Sequence, residues 1–201
     1  LTAPLPSETI PLRHAAGRMM SVPVTARITQ PPFDASAMDG YALGSLATRF
    51  ALVGEAAAGH AYQATLAPDQ AIRIFTGAPV PKGAVAVAMQ EDVIRDGDHI
   101  TLSAPLNGAN IRPKGQDFAF GDTVMPRHLR PADLGLLAAM NIAEVTVHRR
   151  PVVALIATGD ELVSPGQDPR PDQIIASNSF ALAAMVEAAG GIARMLPIAR
   201  D

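Results

Sequence analysis

Cysteine is absent from all 201 residues. That excludes a disulfide framework, a thiolate-bound metal and a cysteine nucleophile, and it fits a reducing, cytoplasmic setting. No apolar run approaches the roughly 18–20 residues that a membrane-spanning helix needs. The opening Leu1-Thr2-Ala3-Pro4 has no basic stretch followed by an apolar one, so no secretory signal is read there. It also does not begin with Met, and the natural start is expected to lie upstream. Positive charge is not in excess: 16 Lys and Arg face 19 Asp and Glu, for a net charge of −3. Wholesale attraction to nucleic acid or anionic lipid is therefore not expected. Histidines 14, 60, 99, 128 and 148 show no ligand spacing, which argues against a histidine-based zinc site. The full glycine spacing of a Walker-type phosphate loop is missing, and there is no internal repeat.

What is present is an ordinary globular balance, 48% apolar and 17% charged, with ample material for a core. Eighteen prolines and sixteen glycines are scattered rather than clustered, which implies many turns and short strands. Leu12, Ala15, Ala16 and Met19 have the spacing of an apolar helical stripe ending near Gly17, followed by an extended Val22-Pro23-Val24. From 27 to 122 short strands alternate with turns. Ala71–Phe75 and Ala84–Met89 are strand candidates, and Asp96-Gly97-Asp98 marks a hairpin between Val93-Ile94 and Ile100–Leu102. Pro131-Ala132-Asp133-Leu134 starts a helix with Leu134, Leu137, Ala138 and Ile142 on one side, and Ala143–His148 reads as a strand. This pair mirrors the one at 11–26, so the two are expected to pack together with a β domain inserted between them. Val152–Ala157 reads as a strand buried on both faces of a parallel sheet. Ser177-Asn178-Ser179 then offers N-caps for a helix stopped by Gly190-Gly191, and Ile192–Ile198 is the next strand. A single such unit leaves apolar surface and strand edges unpaired, so the chain is expected to be cut from a larger α/β domain.

Four stretches combine turn geometry with polar groups. In Pro31–Ala42, two prolines stiffen a loop that carries Asp34 and Asp39-Gly40, and the carboxylates can be aimed at a fixed point. A proline-initiated turn into a hairpin is its plainer reading. Thr76–Gly83 offers a hydroxyl, backbone N–H groups and a lysine for an oxyanion, or only a rigid connection. Asn110–Asp117 carries Arg112, Lys114 and Asp117 and can grip an anion, although loop cations are usually just solvated. Thr158-Gly159-Asp160-Glu161 ends the first α/β strand, where ligands of open sheets bind and carboxylates suit Mg²⁺ or a positioned water. Helix N-capping by Asp160 is the alternative. The short basic clusters Arg127–Arg130 and Arg149-Arg150 read as solvated faces.

In this order the stretches resemble the molybdopterin molybdenumtransferase family, that is, MoeA and the E domain of gephyrin. The resemblance runs through Pro32-Phe33 with Ser36–Ala42, then Ile74–Pro81 and Met89-Gln90-Glu91. It continues through Asn110-Ile111-Arg112 with Gly115-Gln116-Asp117, then Arg150–Gly166, Gln173-Ile174 and Ser177-Asn178. It implies an α+β multidomain fold: an elongated first domain (1–26 plus 123–150), an inserted β domain (27–122) and the start of an α/β molybdopterin-binding-like domain (151–201). It also implies molybdenum cofactor biosynthesis, by insertion of molybdate into adenylylated molybdopterin with release of AMP, assisted by Mg²⁺. Members are homodimers; molybdopterin adenylyltransferase and molybdoenzymes are the further partners considered, with no nucleic acid and no membrane.

Carried over by motif, Asp39, Asp117 and Glu161 are the expected catalytic residues and Mg²⁺ ligands, and Thr76 and Arg112 the expected substrate-binding residues. Metal-bound carboxylates and anion donors suit a reaction that breaks a phosphoanhydride in a polyanionic substrate. Two departures stand out. Gln116 replaces a common glutamate, and the chain ends before the family's Gly-Gly-Val-Ser-type loop, its downstream lysine and proline segments and its final barrel domain. The 201 residues alone are therefore expected to be inactive. A non-catalytic dimerisation or scaffold module of the same family, or a tungstate-handling homologue, are the rival expectations.

Overall fold

The computed structural model describes residues 3–200; Leu1, Thr2 and Asp201 lie outside the described residues. It is mixed and strand-rich with two α-helices, in keeping with the expected α+β class. Contacts divide it into two units, residues 25–122 and residues 1–24 with 123–201. No helix among the described residues is long and apolar enough to cross a membrane.

The 25–122 unit is built on a six-stranded sheet. Its order is Ala86–Met89, Gly40–Leu43, Gln70–Ile74, Arg49–Ala56, His99–Leu102, Val93–Asp96. All neighbours are antiparallel except Arg49–Ala56 with Gln70–Ile74, whose register shifts between Leu52 and Glu55. Successive side chains point to opposite faces, and both faces are covered. Ala42, Ile72, Ile74 and Val87 pack with Ala56, Leu66 and Ala78 on one side. Tyr41, Leu43, Ala71 and Ala88 pack with Phe50 and Ile100 on the other. The Asp96-Gly97-Asp98 hairpin is present, with Val93 opposite Leu102 and Asp96 opposite His99.

In the other unit, strand Ser7–Pro11 pairs antiparallel with Glu144–His148. The helical stripe expected over 12–19 does not form. A single 3₁₀ turn covers Leu12–His14, and Met19 and Met20 instead bridge to His128 and Val147. Met19 is exposed, while Ala15 and Met20 are buried. Ladder and bridge hydrogen bonds to distant strands override a marginal local helix signal here. Helix Pro131–Ala139 forms as expected and buries Leu137. Strand Val152–Leu155 pairs in parallel with Ile192–Met195, but it is not buried on both faces. Val152 is 62% exposed, because one strand and the helix Asn178–Ala188 are its neighbours in this chain. Ser177 holds the N-cap position of that helix without a side-chain capping bond.

The basic cluster at 127–130 is more than a solvated face. Asp133, only 4% exposed, accepts the Arg130 backbone N–H at 2.9 Å and the Arg130 Nε at 3.2 Å, with Arg127 at 3.5 Å. The Arg130 backbone N–H, then the Arg130 guanidinium and finally Arg127 hold its carboxyl below the usual range, against the opposing effect of burial. A depressed folded-state pKa gives stability that is present above the unfolded value, near 4, and lost as pH falls through the folded one. Asp133→Asn is therefore expected to lower Tm by about 3 °C at pH 7. The gap should close towards pH 2 in thermal melts; a gap independent of pH would contradict the assignment.

Candidate functional site

Three of the four polar stretches converge in the 25–122 unit, tied by backbone hydrogen bonds. Ala35–Ser36 pairs with Ile111–Arg112 on one side and bridges to Pro79 on the other. Ser36 N–H donates to Ala78 O, Gly77 N–H to Ser36 O, and Ala37 N–H to Asn110 O, each at 2.9 Å. The 113–118 turn docks on the Gln30–Pro31 segment, whose peptide bond is cis, through Gly115 N–H to Pro31 O and Asp117 N–H to Gln30 O. Residues far apart in sequence thus share one rigid corner, which is the preorganisation a chemical site needs.

Within it, Thr76 donates both its backbone N–H and its hydroxyl to Asp39 Oδ1, each at 2.7 Å. These two bonds, first the backbone one, and then the positive field of Arg73 hold Asp39 below the usual carboxylate range. Asp39 is exposed, and its Oδ2 has no hydrogen bond among the described residues. Both donors of Thr76 are thereby directed at Asp39. Arg112 Nη2 contacts both oxygens of Asp117, at 2.8 and 2.9 Å, in an exposed pair. Asp34 Oδ1 accepts the Lys114 backbone N–H at 2.8 Å, a turn-holding role.

Glu161 lies in the other unit, on the turn between Val152–Leu155 and Leu162–Val163. No helix begins there, so N-capping by Asp160 does not occur; Leu162–Val163 pairs in parallel with Ile174–Ile175 instead. Gly159 has φ +138, and a Cβ there would meet the Glu161 carboxylate at 2.3 Å. A side chain at 159 would therefore displace Glu161. Beside this turn, Thr158, Leu162, Ile174, Ser177 and Asn178 line a cleft of about 490 Å³. A second cleft of about 550 Å³, around Leu46 and Leu102–Leu106 in the 25–122 unit, contains no titratable side chain and offers no chemistry.

Sequence reasoning did not single out Arg73 or Arg200. Arg200 Nη1 donates to the carbonyls of Asp160 at 2.8 Å and of Leu162 and Gly159 at 3.2 and 3.3 Å, pinning the Glu161 turn. Arg150, read as solvated, donates to Gly190 O and Gly191 O beyond the end of helix Asn178–Ala188. An arginine inside an alternating apolar strand, as in Ala71-Ile72-Arg73-Ile74, was the available signal for Arg73.

No three His, Asp or Glu side chains gather into a metal-binding group among the described residues. Asp117 is neutralised by Arg112, and Asp39 has one oxygen to spare. That donor set fits a Mg²⁺ held by one carboxylate, waters and substrate phosphates, the usual mode for this ion, rather than an all-protein cage.

The family model described as MoeA N-terminal region (domain I and II) matches residues 1–141. Molybdopterin molybdenumtransferase from Nostoc sp. is 37% identical over 207 residues, covering 97% of this chain and 48% of that protein. Molybdopterin molybdenumtransferase 2 from Mycobacterium tuberculosis is 41% identical over 194 residues, covering 90% and 48% respectively. A crystal structure of the molybdopterin biosynthesis MoeA protein from Pyrococcus horikosii superposes with a TM-score of 0.79 at 33% identity, covering 98% of this chain and 53% of that one. The chain spans about half the length of the curated relatives it matches. Motif order, fold and relatives agree, and the chain belongs to the MoeA family, whose N-terminal region it carries.

Proposed function

We propose that this chain is the N-terminal part of a molybdopterin molybdenumtransferase of molybdenum cofactor biosynthesis. The whole protein inserts molybdate into adenylylated molybdopterin and releases AMP. The observation that carries the reading is Asp39: an exposed carboxylate kept ionised and aimed by two 2.7 Å bonds from Thr76, in a corner that also presents Arg112. Breaking a phosphoanhydride needs charge stabilisation at the phosphates and a positioned water. Arg112 supplies N–H groups beyond the Nη2 that it gives to Asp117, and a guanidinium suits phosphate oxygens. Thr76 acts on Asp39, fixing its direction. Asp117 orients Arg112, and Glu161, a carboxylate of the α/β part, is proposed separately as a catalytic residue. Asp39 Oδ2 would hold Mg²⁺, which when bound neutralises phosphate charge.

In this reading residues 1–26 with 123–150 form the first domain, 27–122 the inserted β domain and 151–201 the beginning of the α/β domain. The protein works as a cytoplasmic homodimer, receiving its substrate from the molybdopterin adenylyltransferase and passing cofactor to molybdoenzymes. The test is AMP release by the full-length protein from adenylylated molybdopterin, with and without molybdate and Mg²⁺. Release that depends on both is expected, with none from residues 1–201 alone. Full-length protein that binds the substrate and releases no AMP would overturn the reading.

A further inference from the structure

We infer that Arg73 is a positioning residue for Asp39: its guanidinium, clamped between two aromatic rings, fixes the backbone on either side of that carboxylate. The inference rests on the reading of Asp39 as a reacting group. Arg73 lies directly across the ladder from Tyr41. Its Cζ sits 5.2 Å from the centre of the Tyr41 ring and 4.8 Å from that of Phe75. Nη1 donates to Gly40 O at 3.0 Å and Nη2 to Gln90 Oε1 at 2.6 Å. The Gln90 backbone N–H in turn donates to Asp39 O at 3.1 Å, and its amide to Glu91 Oε1.

Asp39 is thereby held at three points. Its own carbonyl is bound by Gln90, which Arg73 grips. The next carbonyl, Gly40, is bound by Arg73 itself. The side chain is bound by Thr76, whose preceding residue, Phe75, stacks on Arg73. Only arginine joins a planar stacking surface to a fork of donors; lysine offers charge without either. Arg73 forms no ion pair within 4 Å among the described residues, so its charge acts on Asp39 rather than being neutralised. Glu91, reached through Gln90, is the opposing charge in the same corner.

The test compares Arg73→Met, Arg73→Lys, Asp39→Asn and the Arg73→Met/Asp39→Asn double variant in the full-length protein. It reads molybdate-dependent AMP release, and hydrogen exchange of the Thr76 and Gln90 backbone amides that bind Asp39. Arg73→Met is expected to lower kcat about 10-fold with KM unchanged, and to add no further loss on top of Asp39→Asn. It should speed hydrogen exchange at the Thr76 and Gln90 backbone amides, whose bonds to Asp39 are braced by Arg73. Arg73→Lys, which serves if the methionine variant folds poorly, keeps the charge without the fork of donors and should lose kcat as well. Losses that multiply in the double variant, or Thr76 and Gln90 amides that exchange in Arg73→Met as in wild type, would overturn the inference. If the full-length protein releases no AMP, the functional reading falls, and the amide exchange still decides the role of Arg73.

Discussion

Asp39→Asn in the full-length protein is expected to cut molybdate-dependent AMP release by about 10²- to 10³-fold, the scale on which a preorganised charged group contributes to a transition state. Asparagine keeps an oxygen for the two Thr76 donors and loses the charge, so the loop should survive while the chemistry does not. Asp39 is exposed, and Tm should hardly move. Because the Thr76 bonds keep the carboxyl below its usual range, activity that needs the ionised form should persist until pH falls well below about 4. Thr76→Ala removes the hydroxyl but not the backbone donor. It should shift the acid limb upwards and cost less than Asp39→Asn. Wild-type turnover by Asp39→Asn would remove this residue from the reaction.

Gly40→Ala is expected to have the largest effect on stability. A Cβ at Gly40 would stand 1.8 Å from Ala88 O, 2.8 Å from Ala88 C and 3.2 Å from Met89 Cα. These are backbone atoms of the neighbouring strand, and they cannot retreat without opening the ladder that pairs Gly40 with Met89 and Leu43 with Ala86. Strand Gly40–Leu43 is buried throughout, with a neighbour on each edge. The expected loss is above about 4 kcal/mol, read as collapse of the cooperative transition in denaturant melts. Gly135→Ala should do the opposite. That helical glycine has open space where its Cβ would go, so alanine should stabilise by about 0.5–1 kcal/mol. A Gly40→Ala protein melting like wild type would show that the strands are not so tightly paired.

What could be read from the sequence was local. The Asp96-Gly97-Asp98 turn, the proline-led helix at 131 and the glycine stop at 190 each encode their conformation in a few adjacent residues, and each is present. Strand Arg49–Ala56 was not legible. Its partners are Gln70–Ile74 in parallel and His99–Leu102 across the sheet, and Gly54 and Glu55 interrupt its pattern. Parallel pairing needs a long connection and leaves no turn signature. The supposed helix at 12–19 failed for the related reason that its partners, His128 and Val147, are distant. In the candidate site the residue types were visible and the couplings were not. Nothing near Asp39 announces Thr76, and nothing near Asp34 announces the Lys114 amide. Arg73 showed only as an arginine within an apolar strand, and the groups it binds, Gly40 O and Gln90, lie outside that strand.

The two ends of the 25–122 unit meet: Ala26 N–H donates to Asp122 O at 2.8 Å, and Gly121 N–H to Ala26 O at 3.0 Å. In the language of folding order this clasp matters as much as any core residue. Closing residues 25–122 as an unstructured loop would cost the rest of the chain about 4 kcal/mol in entropy. Once that segment has folded, its ends are already together and the cost is gone. Strands Ser7–Pro11 and Glu144–His148 are then joined, in effect, by a short connection, and their pairing should be the late event. The middle of the chain thus sets the order in which its two flanks find each other.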